Sequence, residues 1–118
     1  MKTEYSRVEP YVTKDGCEIR ELMHPAIHGN RNQSFAEATV SAGQKTAFHR
    51  HRTTEEIYHF SNGSGLMTLG KETFPVKAGD TVCIAPGTPH CVENTGEGSL
   101  RIICACSPPY SHDDTELV

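Results

Sequence analysis

Apolar positions along this chain fall in short alternating runs broken by glycine, proline and small polar residues. The pattern predicts strands over residues 33–40, from there to 51 after a turn at 41–43, then over 56–60, 65–69, 72–76, 81–84, 91–94 and 100–106. No stretch carries the 3.6-residue period of an amphipathic helix. Short strands at regular intervals with Gly/Pro turns mean an all-β sandwich or barrel. Residues 1–32 are polar and mixed, and are expected to form an N-terminal extension that packs edge strands on a barrel of residues 33–106. Residues 107–118 form a C-terminal tail, in which Pro108 and Pro109 oppose strand formation. We expect this tail to fold back and pack Tyr110 near a cavity mouth. Its histidine-bearing counterpart at 24–30 reads as loop.

Side chains two apart on a strand share a face, so His49 and His51 point the same way and Arg50 points the other. Their Cα atoms stand about 6.6 Å apart at ~3.3 Å rise per residue. From there two imidazoles can lean onto one ion at about 2.0–2.2 Å. After the polar turn Arg52–Thr53–Thr54 comes a return strand that brings a carboxylate opposite them. Glu55 and Glu56 have opposite parity, and a turn can shift register by one residue. The Gly/Pro turn ending at His90 fixes where that side chain aims. Four such groups facing a barrel interior without a partner would each cost roughly 1–3 kcal/mol, an objection a metal ion removes.

These two runs resemble the motifs of the cupin superfamily. The first, G-x5-H-x-H-x3,4-E-x6-G, is matched by Gly43, His49, His51, Glu56 and Gly63, and its closing glycine selects Glu56 over Glu55. The second, G-x5-P-x-G-x2-H-x3-N, is matched by Gly79, Gly87, His90 and Asn94, with Ala85 where the family has proline and Pro86 one residue later. Fifteen residues separate Gly63 from Gly79, as in a compact single-domain cupin. The resemblance implies an all-β, cupin-type double-stranded β-helix (a jelly-roll barrel). It also implies one divalent transition metal, Fe, Mn, Zn, Ni or Co, on His49, His51, Glu56 and His90. A homodimer is implied too, since a small open barrel leaves strand edges that need covering.

Four protein ligands on an octahedral ion leave two positions open, for a bidentate substrate or for substrate and O2. Ligand type alone does not choose the metal. If Glu56 points inward, so do Tyr58 and Phe60, giving an aromatic wall beside the metal. Gln33 and Phe35 are expected on an adjacent strand, completing a pocket for a small polar organic molecule. Tyr58 is the candidate catalytic side chain. The favoured reading is a metal-dependent enzyme with oxygenase-type chemistry. The alternatives are a non-redox isomerase or lyase acting on a sugar acid, with the metal as Lewis acid, and a small-ligand binding or sensing module without turnover.

Composition narrows the partners. The 118 residues carry a formal charge of −4. The basic residues do not cluster into a nucleic-acid face, no apolar run reaches membrane-spanning length, and no apolar signal core opens the chain. Cytoplasm is the expected location. Five cysteines without a CxxC pair read as small buried hydrophobes in a reducing compartment. Cys104 and Cys106 share one strand face and either line the cavity or pack the core.

Overall fold

The computed structural model describes residues 1–118. Eleven strands form two antiparallel sheets that face each other. In chain order they are β1 (Tyr11–Val12), β2 (Glu18–Met23), β3 (Ser34–Val40), β4 (His49–His51), β5 (Glu55–Asn62), β6 (Ser64–Leu69), β7 (Glu72–Lys77), β8 (Thr81–Ile84), β9 (His90–Asn94), β10 (Leu100–Ser107) and β11 (Thr115–Leu117). The larger sheet runs β1-β2-β3-β10-β5-β8, and the smaller β11-β4-β9-β6-β7. Neighbours far apart in sequence alternate between the sheets, the jelly-roll arrangement that the turn pattern predicts.

Period-two alternation is clean where one face is buried. In β5 Glu56, Tyr58 and Phe60 are buried while Glu55, Ile57 and His59 are exposed. In β10 Leu100, Ile102, Cys104 and Cys106 are buried. Strand β10 lies between β3 and β5, and Ile102 pairs with both Ala38 and Phe60. The core sits between the sheets, around Phe60, Met67, Ile84, Val92, Leu100 and Ile102. At Gly63 a left-handed φ of +89° turns β5 into β6, and a Cβ there would stand 2.7 Å from the Ser99 carbonyl. Only glycine satisfies both demands at that corner.

The first 32 residues supply β1 and β2, and β2 pairs with β3 from Glu18↔Thr39 to Met23↔Phe35. Residues 108–114 form no strand, but beyond them the tail adds one that the sequence reading did not include: Thr115–Leu117 pairs antiparallel with β4, Thr115 opposite His51. Two prolines delay the strand without preventing it, because the backbone resumes pairing five residues beyond Tyr110. Before His49, only a Lys45↔Glu93 bridge remains of the expected longer strand. No helix is long and apolar enough to cross a membrane.

Candidate metal centre

Strand β4 points His49 and His51 between the sheets, with Arg50 outward. Its neighbour β9 starts at His90, which stands in register opposite His49. Glu56 comes from β5 in the other sheet, so the two layers close on one point. All four side chains are buried, and Glu55 is exposed. The ring centroids of His49 and His90 lie 4.2 Å apart, and those of His51 lie 5.3 and 5.4 Å from them. One ligating atom from each imidazole falls within 4.8 Å of the others.

The hydrogen bonds fix which nitrogen each ring offers. His49 Nδ1 donates to the Ala47 carbonyl at 2.7 Å, and His90 Nδ1 to the Thr88 carbonyl at 2.9 Å. His51 Nδ1 meets Thr115 Oγ1 at 2.9 Å. That hydroxyl spends its proton on the Ser111 carbonyl, so it accepts from His51. All three rings therefore keep Nδ1–H and aim a bare Nε2 inward, the tautomer metal-ligating histidines need. Against these lone pairs stands an anion: Glu56 Oε1 lies 3.1 Å from His51 Nε2 and 3.7 Å from His90 Nε2. Glu56 Oε1 and His90 Nε2 are buried and have no hydrogen-bond partner. Acceptors cannot face acceptors in a dry interior unless a proton or cation lies between them. A divalent ion fits this donor set.

Electrostatics agree. Burial pushes the Glu56 carboxyl up, but hydrogen bonding to His51 and His90, which without an ion needs a hydrogen between nitrogen and carboxylate, outweighs it and holds it at about 2. Burial, helped by the neighbouring His90, lowers His49 and keeps it the neutral ligand a metal requires. Burial and the Glu56 charge raise Tyr58 well above the usual phenol range, so it stays protonated. Its ring stands 5.8 Å from that of His90. Tyr110 also lines the cavity, 5.8 Å from the His51 ring, and burial pushes its phenol up to about 12.

Three expected pocket residues do not line the cavity. Gln33 and Phe35 are exposed, Phe35 at 44%. The sheet instead turns Ser34 and Ala36 inward, because β3 is anchored with the opposite parity through Cys106↔Ser34 and Cys104↔Ala36. Phe60 does face inward, but it lies four residues along β5 from Glu56 and packs the core at 0% exposure. Of the expected pocket residues, Tyr58 alone borders the cavity. The free volume there is about 40 Å³, room for roughly three water-sized centres at ~10–15 Å³ each.

Several functional neighbours escape a sequence reading. Asp15, in the turn between β1 and β2, places Oδ2 3.5 Å from His49 Nε2. Its Oδ1 accepts from the Thr13 hydroxyl and from Cys17 N at 3.1 Å. The Asp15–Gly16 pair signals a turn, but nothing in it names a partner 34 residues away. Cys106 donates its thiol to Glu56 Oε2 at 3.3 Å, and Cys104 lines the same cavity. His24 closes the outer rim through Nε2 against the Tyr110 carbonyl at 2.8 Å.

Comparison with known proteins agrees with this geometry. A family model described as a cupin domain matches residues 36–106. The chain is a cupin. An uncharacterised protein of Methanocaldococcus jannaschii is 55% identical over 118 residues, covering 100% of this chain and 94% of that one. An oxalate-binding protein of Thermotoga maritima is 29% identical over 90 residues, covering 76% of this cupin and 74% of the relative. A predicted oxalate decarboxylase from Thermotoga maritima, solved as a crystal structure, superposes with a TM-score of 0.79 at 25% identity. That match covers 92% of this cupin and 99% of that chain.

Proposed function

We propose that this cupin is a metal-dependent enzyme acting on a small oxygen-bearing organic molecule held beside His49, His51, Glu56 and His90. One observation carries the reading: a buried carboxylate oxygen packed against imidazole nitrogens whose other ring nitrogens already donate to the protein, an arrangement that needs a cation or protons at its centre. A divalent ion held by these four residues would supply Lewis-acid polarisation of a substrate oxygen or, if redox-active, chemistry with O2. The protein's own residues do the rest. Thr115 and the Ala47 and Thr88 carbonyls hold the rings in one tautomer. The apolar wall of Ala36, Ala38, Val92 and Ile102 limits water. Tyr58 keeps a phenolic proton within the cavity for an oxygen of the substrate.

Oxygenase-type chemistry is the first reading. Non-redox isomerisation or lysis is the second reading, and it is favoured by Tyr58, which can donate a proton without any change in metal oxidation state. Names of relatives point to small carboxylates as ligands: the Thermotoga maritima protein binds oxalate by name. The reading also includes a homodimer that covers exposed edge residues such as Val12 and Leu117.

The test is metal analysis of untagged protein beside a His51→Ala control. We expect one divalent ion per chain that disappears in the control. Turnover that requires O2 selects the oxygenase, and anaerobic turnover with Zn or Mn selects the non-redox enzyme. Failure of the wild-type protein to take up any of Fe, Mn, Co, Ni or Zn would overturn the proposal.

A further inference from the structure

Two of the chain's buried polar atoms without a partner belong to residues that line one cavity: Glu56 Oε1, at the candidate metal centre, and Glu21 Oε2. Glu21 sits on β2, 4% exposed, with its side chain in the same cavity. Along the sheet Glu21 pairs with Ala36, Ala36 with Cys104, and Cys104 with Tyr58, two residues beyond Glu56. Three strand spacings of ~4.8 Å put its backbone about 14 Å from β5 along a curved sheet, and both carboxyls reach inward from there. Glu21, Thr13 and Tyr110 also border an outer pocket of about 340 Å³ with Tyr11 and His24. Glu21 therefore stands at the neck between solvent and the metal centre.

Burial without a cationic partner favours the protonated form of Glu21, and its hydrogen bonding shows which oxygen then carries the proton. Tyr11 donates its hydroxyl to Glu21 Oε1 at 2.7 Å. Burial raises the Glu21 carboxyl, against the smaller opposing effects of Tyr11, His24 and His28. A neutral carboxyl accepting at Oε1 carries its hydrogen on Oε2, the oxygen that no protein group meets. A buried O–H aimed into a cavity without an acceptor is destabilising. A ligand oxygen removes that cost.

We infer that Glu21 is a ligand-binding carboxylic acid that donates an Oε2–H hydrogen bond to the distal end of a small carboxylate whose other end meets the metal. This rests on the metal reading above and names the substrate class for that site. The charge balance supports it. Asp15 and Glu56, taken as carboxylates, formally cancel a divalent ion, so net positive charge alone does not attract an anion. A neutral acid at the neck supplies a donor without adding a third negative charge. The limited free volume suits a dicarboxylate of two to four carbons better than a sugar.

The experiment is calorimetric titration of oxalate, malonate and succinate into Mn-loaded wild-type and Glu21→Gln protein from pH 5.5 to 8.5, with metal content measured on each sample. At least one acid is expected to bind wild type, with affinity falling about tenfold per pH unit once Glu21 ionises. Glu21→Gln keeps a neutral donor and should lose that slope while holding the same metal content. The groups facing Glu21 are Tyr11 from β1, His24 and His28 beyond β2, Glu56 from β5, Cys106 from β10, and Tyr110 and His112 from the tail. All persist in the variant, so a slope due to any of them survives the substitution. An unchanged slope in Glu21→Gln, or binding of none of the three acids to metal-loaded protein, overturns the inference. Glu21-dependent acid binding by protein that takes up no metal would overturn the metal reading, and with it the placing of the acid's other end, while leaving Glu21 as the donor.

Discussion

Removing the charge of Glu56 tests the metal centre without any metal present. The folded carboxyl sits at about 2 against an ordinary value of 4.5. A gap of roughly 2.5 pH units, at ~1.36 kcal/mol per unit, is worth about 3 kcal/mol. Because the folded value lies below the unfolded one, this stability is fully present above pH 4.5 and is lost as pH falls from there toward 2. Glu56→Gln lacks it at every pH. Urea melts of chelator-treated protein should therefore show wild type about 3 kcal/mol more stable than the variant at pH 6, with the difference shrinking steadily below pH 4.5. Adding the cognate ion at a hundredfold its Kd should add about 2.7 kcal/mol to wild type, and far less to the variant. Equal stability of the two proteins at pH 6, or a difference that stays constant down to pH 3, would refute the claim that His51 and His90 hold this carboxylate.

Three other outcomes are expected. Thr115→Val removes the acceptor of His51 Nδ1–H and should weaken metal binding about ten- to a hundredfold by competitive chelation, with little change in the circular dichroism spectrum. Gly65→Ala forces a Cβ to 2.5 Å from the Glu93 carbonyl and 3.1 Å from Leu100 Cδ2, and should cost about 2–3 kcal/mol, read as a clear drop in thermal midpoint. Phe35→Ser, on the exposed face of β3, should shift stability by no more than about 0.5 kcal/mol, whereas Phe60→Ala in the core should cost about 3–5 kcal/mol; denaturant melts of the pair separate surface from core.

Three of the candidate metal ligands, His49, His51 and Glu56, were legible because their spacing is local, and His90 through the second motif. His49 and His51 share a strand face by parity, and the Gly63 corner fixes which of two adjacent glutamates the pattern uses. The alternation of Tyr58 and Phe60 was legible for the same reason, although depth along a strand was not: parity says that Phe60 faces inward, not that it lies beyond the cavity. Gln33 and Phe35 failed because no neighbouring motif anchored their parity, which β10 sets through long-range pairing with β3. Asp15, Glu21, Thr115 and Cys106 come from strands and turns far from the motifs. Single carboxylates and hydroxyls carry no spacing signal, and only tertiary pairing shows that they converge.

The strand that carries two of the imidazoles is also short and lightly paired. Strand β4 has three residues, one register pair to β9 at His49↔His90, and β11 along its other edge. Peeling that narrow ribbon away would take His49 and His51 off a bound ion while the β3-β10-β5 pairing stays intact. Release of such an ion would follow a local opening, with a free energy below that of global unfolding. The residence time of the bound ion becomes a property of six residues at a sheet edge, and amide exchange in β4 and β11 should slow sharply on metal binding while β10 scarcely changes.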